Sequence, residues 1–181
     1  LGVPLVIRMT TGGGRQLAAQ HSHSLDGWYA HIPGIKVVAP GTIADFRWML
    51  GPALADPDPV IIFEHGGLYA ASGPVPTSDP GVPLGQAIVR RAGRDLSLIT
   101  FGGTLATCLT AAEQLAAEDI EAEVVDLRSL RPLDDDTIIV NELGLKNYED
   151  SVKDQQQELD QLEKMYASEE LTTDTADIVR D

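Results

Sequence analysis

Over the first 140 residues, short β-branched runs alternate with helix-length segments, and Gly or Pro punctuates nearly every junction. Strands joined through helices cannot pair as hairpins. They return beside one another in parallel, with the helices over the sheet faces. The pattern predicts an α/β fold of parallel sheets with flanking helices. Val3–Met9 is the first strand-like run, followed by a turn at Thr10–Gly14 that holds three consecutive glycines. A short helix over Ser24–His31 ends at Pro33-Gly34, and Ile35–Ala39 is a second strand stopped by Pro40-Gly41. Thr42 and Asp45 have nearly the spacing of a capping box, which predicts one helix over Ile43–Ala55. Asp56-Pro57-Asp58-Pro59 breaks that helix, and Val60–Glu64 is a third strand.

A Gly/Pro-rich stretch from His65 to Gly85 separates a second unit. There Ala87–Arg91 and Leu96–Thr100 read as strands. The turn Phe101-Gly102-Gly103 leads into a helix over Thr104–Glu118, and Ala122–Leu127 is a further strand. Strand, turn, helix and strand at this spacing make a βαβ unit. Arg131-Pro132-Leu133 reads as a turn, and Asp134–Asp136 opens another helix.

Near residue 140 the chain changes character. Residues 1–140 contain 16 acidic and 9 basic residues, and residues 141–181 contain 12 and 4. The second stretch has a single Gly and no Pro, so turns give way to helix. Leu145, Tyr148, Val152, Gln155, Leu159, Leu162 and Tyr166 repeat at alternating spacings of 3 and 4. That is a heptad seam, expected either to lie on its own domain or to meet a partner helix. The formal net charge of −15 leaves no basic surplus for a nucleic acid or an anionic membrane surface. One cysteine, Cys108, excludes an internal disulfide and multi-cysteine metal sites. Without a signal peptide or an apolar run of about 18 residues, a soluble intracellular location is expected. The start at Leu1 predicts a fragment or a processed chain.

Several residues carry candidate chemistry. Gly12-Gly13-Gly14 lies after a strand, where backbone N–H groups can approach a phosphate, but no Gly-Lys-Ser/Thr follows. Phe101-Gly102-Gly103 occupies the place of a dinucleotide loop, with Asp126 at the distance of a ribose ligand, yet the third glycine is absent. Tight strand–helix packing is the alternative. Gln20-His21-Ser22-His23 offers two histidines for proton transfer or metal binding, though neither His31 nor His65 stands at recognisable ligand spacing. Backbone-bonded loop histidines are the alternative. Cys108, Trp28, Tyr29 and Trp48 fall on helical stretches and read as packing residues. Asp56 and Asp58 read either as solvated turn residues or as cation ligands together with backbone carbonyls.

As a string, residues 12–40 read GGGRQLAAQHSHSLDGWYAHIPGIKVVAP, residues 55–65 ADPDPVIIFEH and residues 121–134 EAEVVDLRSLRPLD. From about Val3 to Ile139 this resembles the beta subunit of the decarboxylating component of 2-oxo acid dehydrogenase complexes. Pyruvate and acetoin dehydrogenases are the nearest types, among the transketolase-like thiamine diphosphate enzymes. The tail from Asn141 does not match. The resemblance implies part of a pyrimidine-type domain at 1–78 and a linker at 79–85. Part of a transketolase C-terminal-type domain follows at 86–140, before the acidic helical tail at 141–181. It implies an α2β2 heterotetramer with an alpha subunit, and thiamine diphosphate and Mg²⁺ held mainly by alpha. Substrates would be a small 2-oxo acid and the lipoyl group of a transacylase, in bacterial cytoplasm or the mitochondrial matrix. By motif position His21 is the active-site histidine, acting in proton transfer during acylation of lipoamide. A structural K⁺ ion would involve Leu5, Ala53, Leu54, Asp56 and Asp58. The family's cofactor-activating glutamate lies N-terminal to this sequence, so the chain is expected to be inactive alone. A non-catalytic truncated or fused protein that associates through its helical tail is the alternative. A sugar-phosphate enzyme of the same fold fits the acidic balance less well.

Overall fold

The computed structural model describes residues 2–14, 16, 18–75, 77 and 82–142, with backbone only at 140–142. Strand β3 (Val60–His65) is buried from Val60 to Glu64 and half-buried at His65. Its period of two puts Val60, Ile62 and Glu64 on one face and Ile61, Phe63 and His65 on the other. Burial on both faces is what a parallel strand between helix layers requires. β1 (Val6–Thr11) and β2 (Lys36–Val38) flank β3, each parallel to it. Helix α1 (Asp26–Ala30) lies between β1 and β2, and α2 (Ile43–Trp48) and α3 (Leu50–Ala55) lie between β2 and β3. Val60 and Ile62 pack with Val38, Met49 and Ala53 on one face. Ile61 and Phe63 pack with Val37, Leu25, Tyr29 and Ala30 on the other.

The expected capping box is present: Thr42 Oγ1 accepts from the Asp45 N–H, and Asp45 Oδ2 accepts from the Thr42 N–H. The single helix expected over Ile43–Ala55 is instead two, divided at Met49. Pro52 explains the break, because it has no N–H to donate to the Trp48 carbonyl. In the first turn of α3 that loss is harmless.

The second sheet has the order β4-β6-β5. β5 (Leu96–Thr100), α4 (Leu105–Ala116) and β6 (Ala122–Asp126) form the expected βαβ unit, with β5 and β6 parallel. Leu105 and Ala112 of α4 pack on Ala122 and Val124 of β6, and half-buried Cys108 joins them as a packing residue. β4 (Ile88–Arg91) pairs antiparallel with β6, so this sheet is mixed. The link from β4 to β5 crosses the start of β6 at Gly93. A Cβ there would lie 2.1 Å from the Glu123 nitrogen, and only glycine allows that approach.

Residues 129 and 130 carry no expected element, and Arg131 is expected in a turn with Pro132 and Leu133. Together residues 129–131 form β7 (Ser129–Arg131), which pairs antiparallel with β2 and completes the first sheet in the order β1-β3-β2-β7. Arg128, at φ 53°, redirects the chain from β6 into β7, and its carbonyl accepts from the Ala39 N–H. Asp134 then caps α5 (Asp135–Glu142) through the N–H and hydroxyl of Thr137. Both sheets belong to one compact unit that ends at Ile138. The heptad seam from Leu145 to Tyr166 lies outside the described residues. No helix among the described residues is long and apolar enough to cross a membrane.

Candidate functional site

β1 ends at Thr11, and the chain turns at Gly12 with φ 97°. The loop it starts returns on itself, because the Gly12 N–H donates to the His23 carbonyl at 3.0 Å. Thr11 Oγ1 lies 3.2 Å from the same carbonyl and 2.9 Å from Asp26 Oδ1. Near its far end the loop makes one 3-10 turn, Ala19–His21, braced by Ser22 Oγ donating to the Ala18 carbonyl at 2.8 Å. His21 closes this turn with its side chain exposed, so the QHS segment presents an imidazole on a short, backbone-fixed loop. His23 is exposed as well, and its carbonyl is what holds the loop shut.

A cavity of about 390 Å³ lies at the carboxyl ends of these strands, where open α/β sheets bind ligands. Thr11, Gly12, Asp26, His65 and the Phe101–Thr104 turn line it, while His21 is not among its walls. Sequence reasoning weighed His65 only as a metal ligand and missed its position. Its imidazole is wedged between two glycine turns. A Cβ on Gly12 would lie 2.1 Å from His65 Nε2, and one on Gly103 would lie 2.3 Å from its Cγ. His65 Nδ1 accepts from the Gly67 N–H at 3.2 Å. The signal in the sequence was the pair of glycine turns, both at strand ends and far apart in the chain.

Those contacts give the glycines of the Phe101-Gly102-Gly103 turn a packing role, and Asp126 is no ribose ligand. Asp126 is wholly buried and takes both Nε and Nη2 of Arg90, at 3.1 and 2.9 Å. Arg90 Nη2 also reaches Asp45 Oδ2 at 2.6 Å, and Arg128 Nη1 lies 3.9 Å from Asp45 Oδ1. Burial pushes the Asp126 carboxyl up, against the pull of Arg90, and burial pushes the Arg128 guanidinium down. Two carboxylates and two guanidiniums thus tie the start of α2 to β4 and to the end of β6.

At the Asp56–Pro59 turn, Asp56 Oδ2 meets Lys36 Nζ at 2.5 Å, and Oδ1 accepts from the Asp58 N–H at 3.0 Å. The hydrogen bond from Lys36 holds the Asp56 carboxyl below the usual range. The Ala53 carbonyl accepts from the Asp56 N–H at 3.4 Å and the Leu5 carbonyl from the Val60 N–H at 2.8 Å, while Leu54 is exposed. Among the described residues, no group of three or more His, Cys, Asp or Glu side chains is placed to hold a metal ion. Trp28, expected to pack, is 72% exposed, because the opposite side of α1 carries Tyr29 onto Phe63.

Residues 1–71 match the transketolase pyrimidine binding domain, and residues 85–146 match the transketolase C-terminal domain. The fold is similar to a split-gene transketolase described as an inactive beta4 tetramer, with a TM-score of 0.63 and 27% identity over 77% of this chain and 45% of that one. A transketolase from Pichia stipitis shares the fold at a TM-score of 0.55 and 17% identity, over 70% of this chain and 19% of that one. The fold and matched domains define an α/β protein of the transketolase-like class, with a pyrimidine-binding and a C-terminal domain match. Curated relatives narrow it further. The beta subunit of acetoin:2,6-dichlorophenolindophenol oxidoreductase from Cupriavidus necator is 48% identical over 75% of this chain and 40% of its own length. Pyruvate dehydrogenase E1 component subunit beta from Rhizobium meliloti is 44% identical over 77% of this chain and 30% of its own. The beta subunit of 3-methyl-2-oxobutanoate dehydrogenase from Mycobacterium tuberculosis is 42% identical over 75% of this chain and 39% of its own. The chain carries the two transketolase-type domain matches and is similar to 2-oxo acid dehydrogenase beta subunits. It spans two fifths or less of these three curated relatives.

Proposed function

We propose that the chain is the beta-subunit portion of a thiamine diphosphate-dependent 2-oxo acid dehydrogenase, with a small 2-oxo acid such as pyruvate as its substrate. Its partners are an alpha subunit, in an α2β2 assembly, and a lipoyl-bearing transacylase. The observation that carries the reading is the QHS loop. The QHS motif lies in one loop, closed by the Gly12 N–H on the His23 carbonyl, that holds an exposed His21. When bound, thiamine diphosphate supplies the nucleophilic carbon for decarboxylation. Its diphosphate and Mg²⁺ would be held mainly by the alpha subunit, as the family resemblance implies. His21 moves a proton at its imidazole as the acyl unit passes to the lipoyl sulfur, a step suited to an exposed side chain at a subunit surface.

The domain division at 78 and 86, with an acidic tail from 141, belongs to the same proposal. So does a K⁺ ion at Leu5, Ala53, Leu54, Asp56 and Asp58. Each carbonyl there keeps a second lone pair, although Lys36 already meets the charge of Asp56. A higher melting temperature in KCl than in NaCl at equal ionic strength supports the ion, and equal values dismiss it.

Calorimetric titration of thiamine diphosphate and Mg²⁺ tests the main reading, with the chain alone and with a matching alpha subunit. Binding only with alpha is expected. No binding in either case refutes the dehydrogenase reading for this chain.

A further inference from the structure

We propose that His65 is a positioning residue for His21, acting through the two glycine turns that grip its ring. This rests on the dehydrogenase reading only for the step it affects; the mechanical claim concerns this chain alone. β3 brings the ring to the junction of both sheets. On one side stands Gly12, the first residue of the loop that holds His21. On the other stands Gly103, in the turn between β5 and α4. The gap is closed on both sides, since a single added methyl on either glycine would overlap the imidazole. The ring does not swing freely within it, because the Gly67 N–H donates to Nδ1. That bond places the proton of the neutral ring on Nε2, the atom nearest Gly12.

From Gly12 the contact passes into the loop by two links to one atom. The Gly12 N–H and Thr11 Oγ1 both reach the His23 carbonyl, two residues past His21. Thr11 and Asp26 anchor the same corner from the α1 side. A displacement of the imidazole therefore moves Gly12, the loop closure and His21 in turn. Flexible loops place side chains poorly, and a misplacement of about 1 Å at a reacting group can lower a rate about a hundredfold. The wedge gives a loop built of small and polar residues a rigid stop.

Gly103→Ala pushes the ring from the side away from His21. His65→Asn shortens it while keeping an acceptor for Gly67. In the full chain, both variants should shift the His21 imidazole resonance in NMR spectra, assigned by its loss in His21→Gln. A resonance that stays in place in a folded Gly103→Ala or His65→Asn protein overturns the inference. If Gly103→Ala does not fold, His65→Asn alone decides. In the assembly with alpha, lipoyl acylation should fall about tenfold further than decarboxylation in either variant. Equal losses of the two partial reactions also overturn the positioning role. Absence of decarboxylation in the wild-type assembly with every 2-oxo acid refutes the dehydrogenase reading, and the resonance shift then judges the wedge by itself.

Discussion

Replacing Arg90 with Met should destabilise the chain strongly, in a way that depends on pH. The Arg90 side chain is 20% exposed, and its two carboxylate partners are 2% exposed at Asp45 and 0% at Asp126. Methionine roughly keeps the volume and removes the charge, leaving Asp126 buried without its cation and Asp45 with only Arg128 at 3.9 Å. Breaking one side of a buried ion pair costs about 3–5 kcal/mol, a large share of the roughly 5–15 kcal/mol that holds a domain together. At about 2–4 °C per kcal/mol, melting should fall by about 6–20 °C. The escape for the stranded carboxylates is to take up protons. Burial already pushes the Asp126 carboxyl up, and Arg90 is the main group that opposes it. A carboxyl whose folded pKa lies above its unfolded one favours folding below the unfolded value. That contribution is lost as pH rises toward the folded value. Without Arg90 the folded pKa climbs further, so the gap between variant and wild type should widen from about pH 4 upward. Urea unfolding at pH 5 and pH 7 measures it. A deficit below about 1 kcal/mol at pH 7 would refute the reasoning, as would a larger deficit at pH 5 than at pH 7. Adding Asp126→Asn to Arg90→Met should recover about half of the loss, since the wholly buried carboxylate is then neutral while Asp45 keeps Arg128.

Three further outcomes are expected. Thr42→Ala removes the hydroxyl that accepts from the Asp45 N–H and donates to its carboxylate, and should cost about 1 kcal/mol in urea unfolding; no change would mean that α2 needs no cap. The Lys36–Asp56 pair depresses the Asp56 carboxyl, so its contribution is present above about pH 4 and lost as pH falls through the lowered folded value. Lys36→Met should therefore lower stability by about 0.2–1 kcal/mol at pH 7 and by less at pH 3, and an effect that grows on acidification contradicts this. His21→Ala should slow lipoyl acylation by about 10²–10⁴-fold and decarboxylation far less, measured as separate partial reactions; equal loss of both rejects the assigned role.

The parts of this fold that the sequence discloses are those in which the cause is local. The Thr42–Asp45 spacing, the Pro-broken turn at Asp56–Pro59 and the βαβ pattern around α4 each act within a few residues, and each forms where the spacing puts it. The division of α2 from α3 was equally local and legible at Pro52, whose missing N–H outweighs the helix propensity around it. β7 is of another kind. Three residues of Ser, Leu and Arg carry no strand signal of their own. They become a strand because β2, some 90 residues earlier, offers an edge and Arg128 turns the chain onto it. The candidate site divides in the same way. The QHS loop is a contiguous string, so resemblance proposes His21 directly. His65 is found only in three dimensions, because its neighbours Gly12 and Gly103 lie at the ends of strands in different sheets. Asp126 shows the converse error, in which spacing after a glycine turn suggested a ligand contact. The side chain is instead consumed by Arg90, on a strand found where the sequence predicts one but running antiparallel to β6 rather than parallel. A glycine turn in the sequence therefore marks a close approach without naming what approaches. In this chain the visitor is the histidine that ends β3, and the glycines at positions 12 and 103 are best read as the two sides of its socket.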